Sequence, residues 1–184
     1  AEIPAILIQR RDRFLSPQFV WLLKCLDQVV RAGDQRVFVS MVDAANGFCT
    51  TRLDSGLLLA EAEAAGLSYL AHWSAQSAAS EEPTLKHLGS FANQLVQSRT
   101  NWRKAVKALL PVVVTLGEND DSSDLAEDQA AWQACERQFV GQGGTDLAHF
   151  VQEMALSPKE APRDPKAVSL LTIHGSKGLE FENV

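Results

Sequence analysis

From residue 16 to residue 156 apolar side chains recur at helical spacing, and only two brief runs elsewhere read as strands. The first is Ile3-Pro-Ala-Ile-Leu-Ile-Gln9, short, apolar and rich in β-branched residues. The second is Val168 to His174, with Leu170, Thr172 and His174 on one face and Leu171 and Ile173 on the other. A strand apolar on both faces belongs inside a sheet that is covered on both sides. Such a strand needs a neighbour, and residues 3 to 9 are the segment here able to provide one. The expectation is therefore a mainly α chain: a helical body flanked by two short β-strands of an α/β domain.

The helices are marked by their ends. Ser16-Pro17 reads as an N-cap with proline at the first helical position. Phe19, Leu22, Leu23, Leu26, Val29 and Val30 follow as its apolar stripe, with Gly33 closing the segment. Asp34 can start a second helix that buries Val37, Phe38, Met41 and Val42 and ends near Gly47. Further helices are predicted over 57–65, 67–73, 85–96, 102–114, 124–140 and from Thr145 or Asp146 to Leu156. Ser77 to Pro83, Gly117 to Ser123, Gly141 to Gly144 and Ser157 to Lys166 read as linkers. Trp21, Trp73, Trp102 and Trp132 could stack on nucleic-acid bases, but each falls within an apolar helical pattern and reads as core.

Composition narrows the class. Apolar residues make up 46% of the 184 and charged ones 22%, as in a globular domain and unlike a disordered tail. No apolar run approaches the about 18 to 20 residues that span a bilayer, and no secretory signal pattern opens the chain. A cytoplasmic protein with no membrane partner is expected. The first residue is Ala1, not Met, and the chain reads as a piece of a longer protein. Cys25, Cys49 and Cys135 are too few and too scattered for a disulfide framework or a zinc site, and read as thiols in a reducing compartment. His72, His87 and His149 are likewise scattered. The net charge of −6 is not that of a typical isolated nucleic-acid-binding module. Its distribution is uneven: Arg10, Arg11, Arg13, Lys24, Arg31 and Arg36 make the start basic. Glu118, Asp120, Asp121, Asp124, Glu127 and Asp128 form an acidic block that reads as a solvated loop and helix start.

The chemistry is concentrated in the last seventeen residues, Val-Ser-Leu-Leu-Thr-Ile-His-Gly-Ser-Lys-Gly-Leu-Glu-Phe-Glu-Asn-Val. Ligands of open α/β sheets bind beyond the carboxyl ends of strands. Thr172, His174, Ser176 and Lys177 follow such an end, and Gly175 and Gly178 let the backbone come close to a phosphate. Hydroxyl, imidazole and ammonium groups are donors suited to a nucleic-acid backbone. Glu180 is an acceptor able to take the hydroxyls of a ribose.

From Leu170 through Phe181 the chain resembles, without a break, motif V of superfamily 1 DNA helicases of the UvrD/Rep/RecB group. The pattern there is Leu-(Met/Leu)-Thr-x-His-x-(Ser/Ala)-Lys-Gly-Leu-Glu-Phe. Leu147 to Leu156 resembles the helix before that motif. Ile3 to Ile8 with Arg13-Phe14 and the helix after them resembles the lead into the helical insertion of the second motor domain. The resemblance implies residues 1–32 as the start of a P-loop (RecA-like) motor domain, 33–165 as its 2B-like insertion, and 166–184 as the return. It implies that Thr172, His174, Ser176 and Lys177 face single-stranded DNA, with Gly178 and Glu180 on the nucleotide side. Leu179 and Phe181 would be packing residues. The insertion itself matches only in length and helical character. Ala44-Ala-Asn-Gly47 is not the Gly-Ile-Gly-type turn with which relatives grip duplex DNA.

No Gly-x-x-x-x-Gly-Lys-(Ser/Thr) phosphate loop occurs, and there is no recognisable Asp-Glu pair for metal and water. The resemblance implies ATP and Mg2+ for the parent enzyme, a 3′-to-5′ repair or recombination helicase, and the missing motifs imply neither for this chain alone. Expected partners are single-stranded and possible duplex DNA, the missing motor segments, and repair proteins if the insertion recruits rather than grips.

Overall fold

The computed structural model describes residues 5–8, 14–115, 123–156 and 168–171, with side chains for 14–115 and 124–155. In chain order, β1 (Ala5–Ile8) leads to α1 (Pro17–Val30), α2 (Gln35–Asn46), α3 (Ser55–Ala65), α4 (Tyr69–Ala78) and α5 (Pro83–Gln97). One turn of 3-10 helix, Arg99–Asn101, opens α6 (Trp102–Thr115). Then come α7 (Ser123–Gly141), α8 (Leu147–Leu156) and β2 (Val168–Leu171).

The expectation of a body flanked by strands of a P-loop, RecA-like α/β motor domain is corrected here. The described body is all helical, and no α/β layer is built among the described residues. The two four-residue segments at its ends pair in parallel with each other, Ala5 opposite Val168 and Ile8 opposite Leu171. No third strand stands beside this pair among the described residues. A strand apolar on both sides records local burial, whereas the number of its neighbours is a non-local property.

Helix α1 is the hub. Phe19, Trp21, Leu22, Cys25 and Leu26 have no exposure at all, and the helix packs on α2, α4, α5, α6, α7 and α8. One side of the core joins Trp21 to Trp73 and Phe91, with ring centroids 5.9 and 5.8 Å apart. The other side links Phe14, Phe19, Trp132, Phe139, Phe150 and Trp102. All four tryptophans are buried, as their positions in the helical pattern require, so none presents a face to a base. The indole N–H groups of Trp21, Trp73 and Trp132 meet no acceptor among the described residues, a cost accepted for the area these rings bury.

Helix ends follow local chemistry. Asp34 accepts from the backbone N–H groups of Arg36 and Val37, and Asp54 from that of Leu57. Gly66 closes α3 at φ +64°. At the end of α7, Gly143 sits at φ +76°, and the N–H groups of Gly143 and Gly144 return to the carbonyls of Val140 and Phe139, each at 2.9 Å. One boundary and one cap differ from the sequence reading. Helix α4 runs on to Ala78, because Ser74 and Ser77 are buried against α5, which shortens the expected 77–83 linker. Ser16 stands at the N-cap of α1 yet makes no side-chain cap bond; its hydroxyl is engaged elsewhere. No described helix is long and apolar enough to cross a membrane.

Candidate functional site

Thr172, His174, Ser176, Lys177, Gly178 and Glu180 lie outside the described residues, as do most of the acidic block and the basic residues Arg10, Arg11 and Arg13. The structure does describe what leads to them. Chain leaves the helical body through α1, which follows β1, and through α8, which precedes β2. These two helices pack together, Phe150, Val151 and Met154 of α8 lying in the same core as Phe19 and Leu22. β1 pairs with β2 although about 160 residues separate them. The helicase-like motif begins within β2, at Leu170, and continues past the last paired residue, Leu171.

The exit is held by a buried carboxylate. Asp128 of α7 has no exposure, and its Oδ2 accepts from the N–H of Leu15 at 2.8 Å and from the N–H and hydroxyl of Ser16, both at 2.7 Å. A side chain from another helix thus takes over the start of α1, where the first N–H groups have no helical acceptor and the helix dipole favours negative charge. The sequence reading placed Asp128 with the solvated acids, and the structure corrects this. The signal was present: Leu125, Asp128 and Trp132 share one face of α7, and the two apolar members are buried.

A second group of contacts locks α6 to the turn between α7 and α8. The guanidinium of Arg103 lies over the rings of Trp102 and Phe139, at 5.3 and 5.4 Å, and donates to the carbonyl of Gly144. The indole of Trp102 donates to the carbonyl of Thr145 at 3.3 Å. Asp146 then caps α8 by accepting from the N–H of His149 at 2.9 Å. Beside this junction lies an open cleft of about 550 Å³, lined by Val29, Val30, Arg99, Thr100, Trp102, Thr145, Asp146, Leu147 and Ala148. Arg99 of this cleft and Lys104 and Lys107 of α6 are exposed and form no ion pair among the described residues. Sequence reasoning passed over this basic segment, although residues 99–115 contain four cations and no acid.

The shifted titrations belong to structural groups. Burial holds the Cys25 thiol far above its ordinary range. Burial, with the nearby Glu82 charge, pushes Cys49 up to about 12. Partial burial alone would raise the Glu82 carboxyl. The backbone N–H groups of Thr50 and Thr51, at 2.9 and 2.7 Å, outweigh it and hold Glu82 below the usual carboxylate range. The guanidinium of Arg31 is raised by its hydrogen bond to Asp27. Among the described residues no three His, Cys, Asp or Glu side chains gather to hold a metal ion.

No curated protein and no solved structure matches the chain. A family model does: that of the UvrD-like helicase C-terminal domain, over residues 68–184. The match starts at Ser68, the cap of α4, and runs through α8, β2 and the motif that follows to Val184. It covers well over half of the chain, and it includes the Leu170–Phe181 segment whose residue pattern points to the same proteins. The chain is helicase-related, with DNA as the family's partner, and it belongs to the UvrD-like helicase C-terminal domain family.

Proposed function

We propose that this chain serves an ATP-dependent DNA helicase or translocase, of 3′-to-5′ type, acting in repair or recombination. The observation that carries the reading is the unbroken run from Leu170 to Phe181 inside the family match. In this reading Thr172, His174, Ser176 and Lys177 donate to the backbone of single-stranded DNA. Gly178 leaves room for the nucleotide, and Glu180 accepts from its sugar hydroxyls. Residues 33–165 act as a helical arm that moves with this segment, with 1–32 and 166–184 leading into and out of it.

The sequence carries no phosphate loop and no recognisable Asp-Glu pair for metal and water. Phosphoryl transfer on ATP therefore belongs to other segments of the helicase, and the role assigned to this chain is contact and coupling. The purified chain is expected neither to turn over ATP nor to unwind DNA. Measurable ATP turnover that rises on adding single-stranded DNA would refute that. In the intact helicase, Lys177→Ala should weaken single-strand binding and Glu180→Gln should raise the KM for ATP. Unchanged values for both would remove the roles assigned here.

A second reading rests on the net charge of −6: the arm recruits repair proteins and leaves DNA to the motor. A titration over salt separates the two, since a phosphate grip weakens steeply as counterions are added.

A further inference from the structure

The cations on α6 have no structural employment that accounts for all of them. Arg103 is used in the fold, stacked over Trp102 and Phe139 and bonded to Gly144. Lys104 and Lys107 are exposed, three residues apart, and so stand as neighbours on the solvent face of the helix. The apolar face opposite, Trp102, Val106, Leu109 and Val113, is buried in the body. Arg99, exposed at the 3-10 turn that opens α6, lines the open cleft of about 550 Å³ with Thr100. Acids outnumber bases by 23 to 17 in the chain, yet residues 99–115 hold none. Arg31 shows what an internally used cation looks like here, bridged to Asp27 and Asp34. The α6 cations form no such bridge among the described residues.

We propose that Lys104 and Lys107 of α6, continued by Arg99 beside the cleft, form a contact surface for the phosphodiester backbone of a nucleic acid. The kind of partner rests on the helicase reading above, and the place rests on the charge pattern of α6. The ammonium groups act as point charges that displace counterions from the backbone, without reading sequence. Because both lysines point to solvent, replacing them leaves the packing of α6 intact.

The test is fluorescence binding by the full chain, over a fourfold range of salt, to a mixed-sequence single strand and to its duplex. The double variant K104Q/K107Q should bind more weakly and with a shallower salt dependence. Each lost phosphate contact lowers the slope by about one, so the wild type should lose roughly tenfold more affinity than the variant over that range. The probe with the larger change in slope identifies the strand form held there. Lys86→Gln, exposed on α5, is the control and should change neither quantity. Equal affinity and slope for K104Q/K107Q and wild type, or no binding of either probe at low salt, overturns the proposal. Lys177→Ala keeps the two ideas apart. Loss of binding on Lys177→Ala alone leaves the helicase reading standing and removes the α6 surface. Loss on K104Q/K107Q alone does the reverse for the motif's DNA contact.

Discussion

Replacing Gly89 by alanine tests the close contact between α4 and α5. Gly89 lies in the middle of α5 and faces α4. A Cβ there would stand 2.7 Å from the backbone N of Ala78, 2.8 Å from the Cβ of Ser77 and 2.9 Å from the carbonyl O of Ser74. Two of the three are backbone atoms, so no side-chain rotation relieves the clash. The helices must part until these distances approach ordinary contact, by about 0.5–1 Å, which forfeits a quarter to a half of the dispersion energy across the seam. Overpacking costs about 1–3 kcal/mol, and with two backbone atoms in the clash the upper part of that range, about 2–3 kcal/mol, applies. Alanine in a helix interior recovers about 1 kcal/mol over glycine. The net expectation is a loss of about 1–2 kcal/mol, read as a lower urea midpoint with an unchanged slope. Gly33 is the control: a Cβ there meets nothing within 4 Å, and Gly33→Ala should be neutral or slightly stabilising. If Gly89→Ala proved as stable as the wild type, the close α4–α5 approach would be wrong.

Two further perturbations address the joints. Asp128→Ala strands the N–H groups of Leu15 and Ser16 and the Ser16 hydroxyl in a buried place; it should cost about 2–4 kcal/mol in urea unfolding and speed hydrogen exchange at Leu15 and Ser16, and unaltered exchange there would count against the clasp. Glu82 titrates below its unfolded value, so its two bonds to Thr50 and Thr51 stabilise the fold above the unfolded pKa of about 4.3 and are lost as pH falls through the lower, folded value. Glu82→Gln should therefore flatten that acid limb, by less than about 1 kcal/mol for so solvated a group, and an identical pH profile in wild type and variant would refute the assignment.

Much of the helical body is legible from neighbouring residues. Asp34, Asp54 and Ser68 cap the helices they precede because a short acceptor side chain meets free N–H groups two or three residues on. Gly66 and Gly143 end helices because the required positive φ is cheap only without a Cβ. The tryptophans could be assigned to the core because each recurs in phase with aliphatic neighbours. Asp128 was harder: its charge grouped it with the acids before it, while its phase with Leu125 and Trp132 marked it as buried. Charge is read along the chain, and burial is read around the helix. The roles of Thr172, His174, Ser176, Lys177, Gly178 and Glu180 rest on the residue pattern, since their positions fall outside the described residues.

What the amino-acid order determined by itself is whatever depends on contacts a few residues apart: the existence and apolar stripes of the helices, most of their caps, the glycine turns, and the motif string from Leu170 to Phe181 that ties the chain to its family. Only the tertiary structure decided that α1 is the hub, that Asp128 clasps its start from α7, and that the terminal segments form a two-stranded ribbon in place of the expected α/β sheet. Only there, too, did Arg103 part company with Lys104 and Lys107, one folded onto aromatic rings and the others left in water. The physical reason is range. Capping and helical periodicity are short-range, whereas which faces meet depends on burying apolar area contributed by segments more than a hundred residues apart.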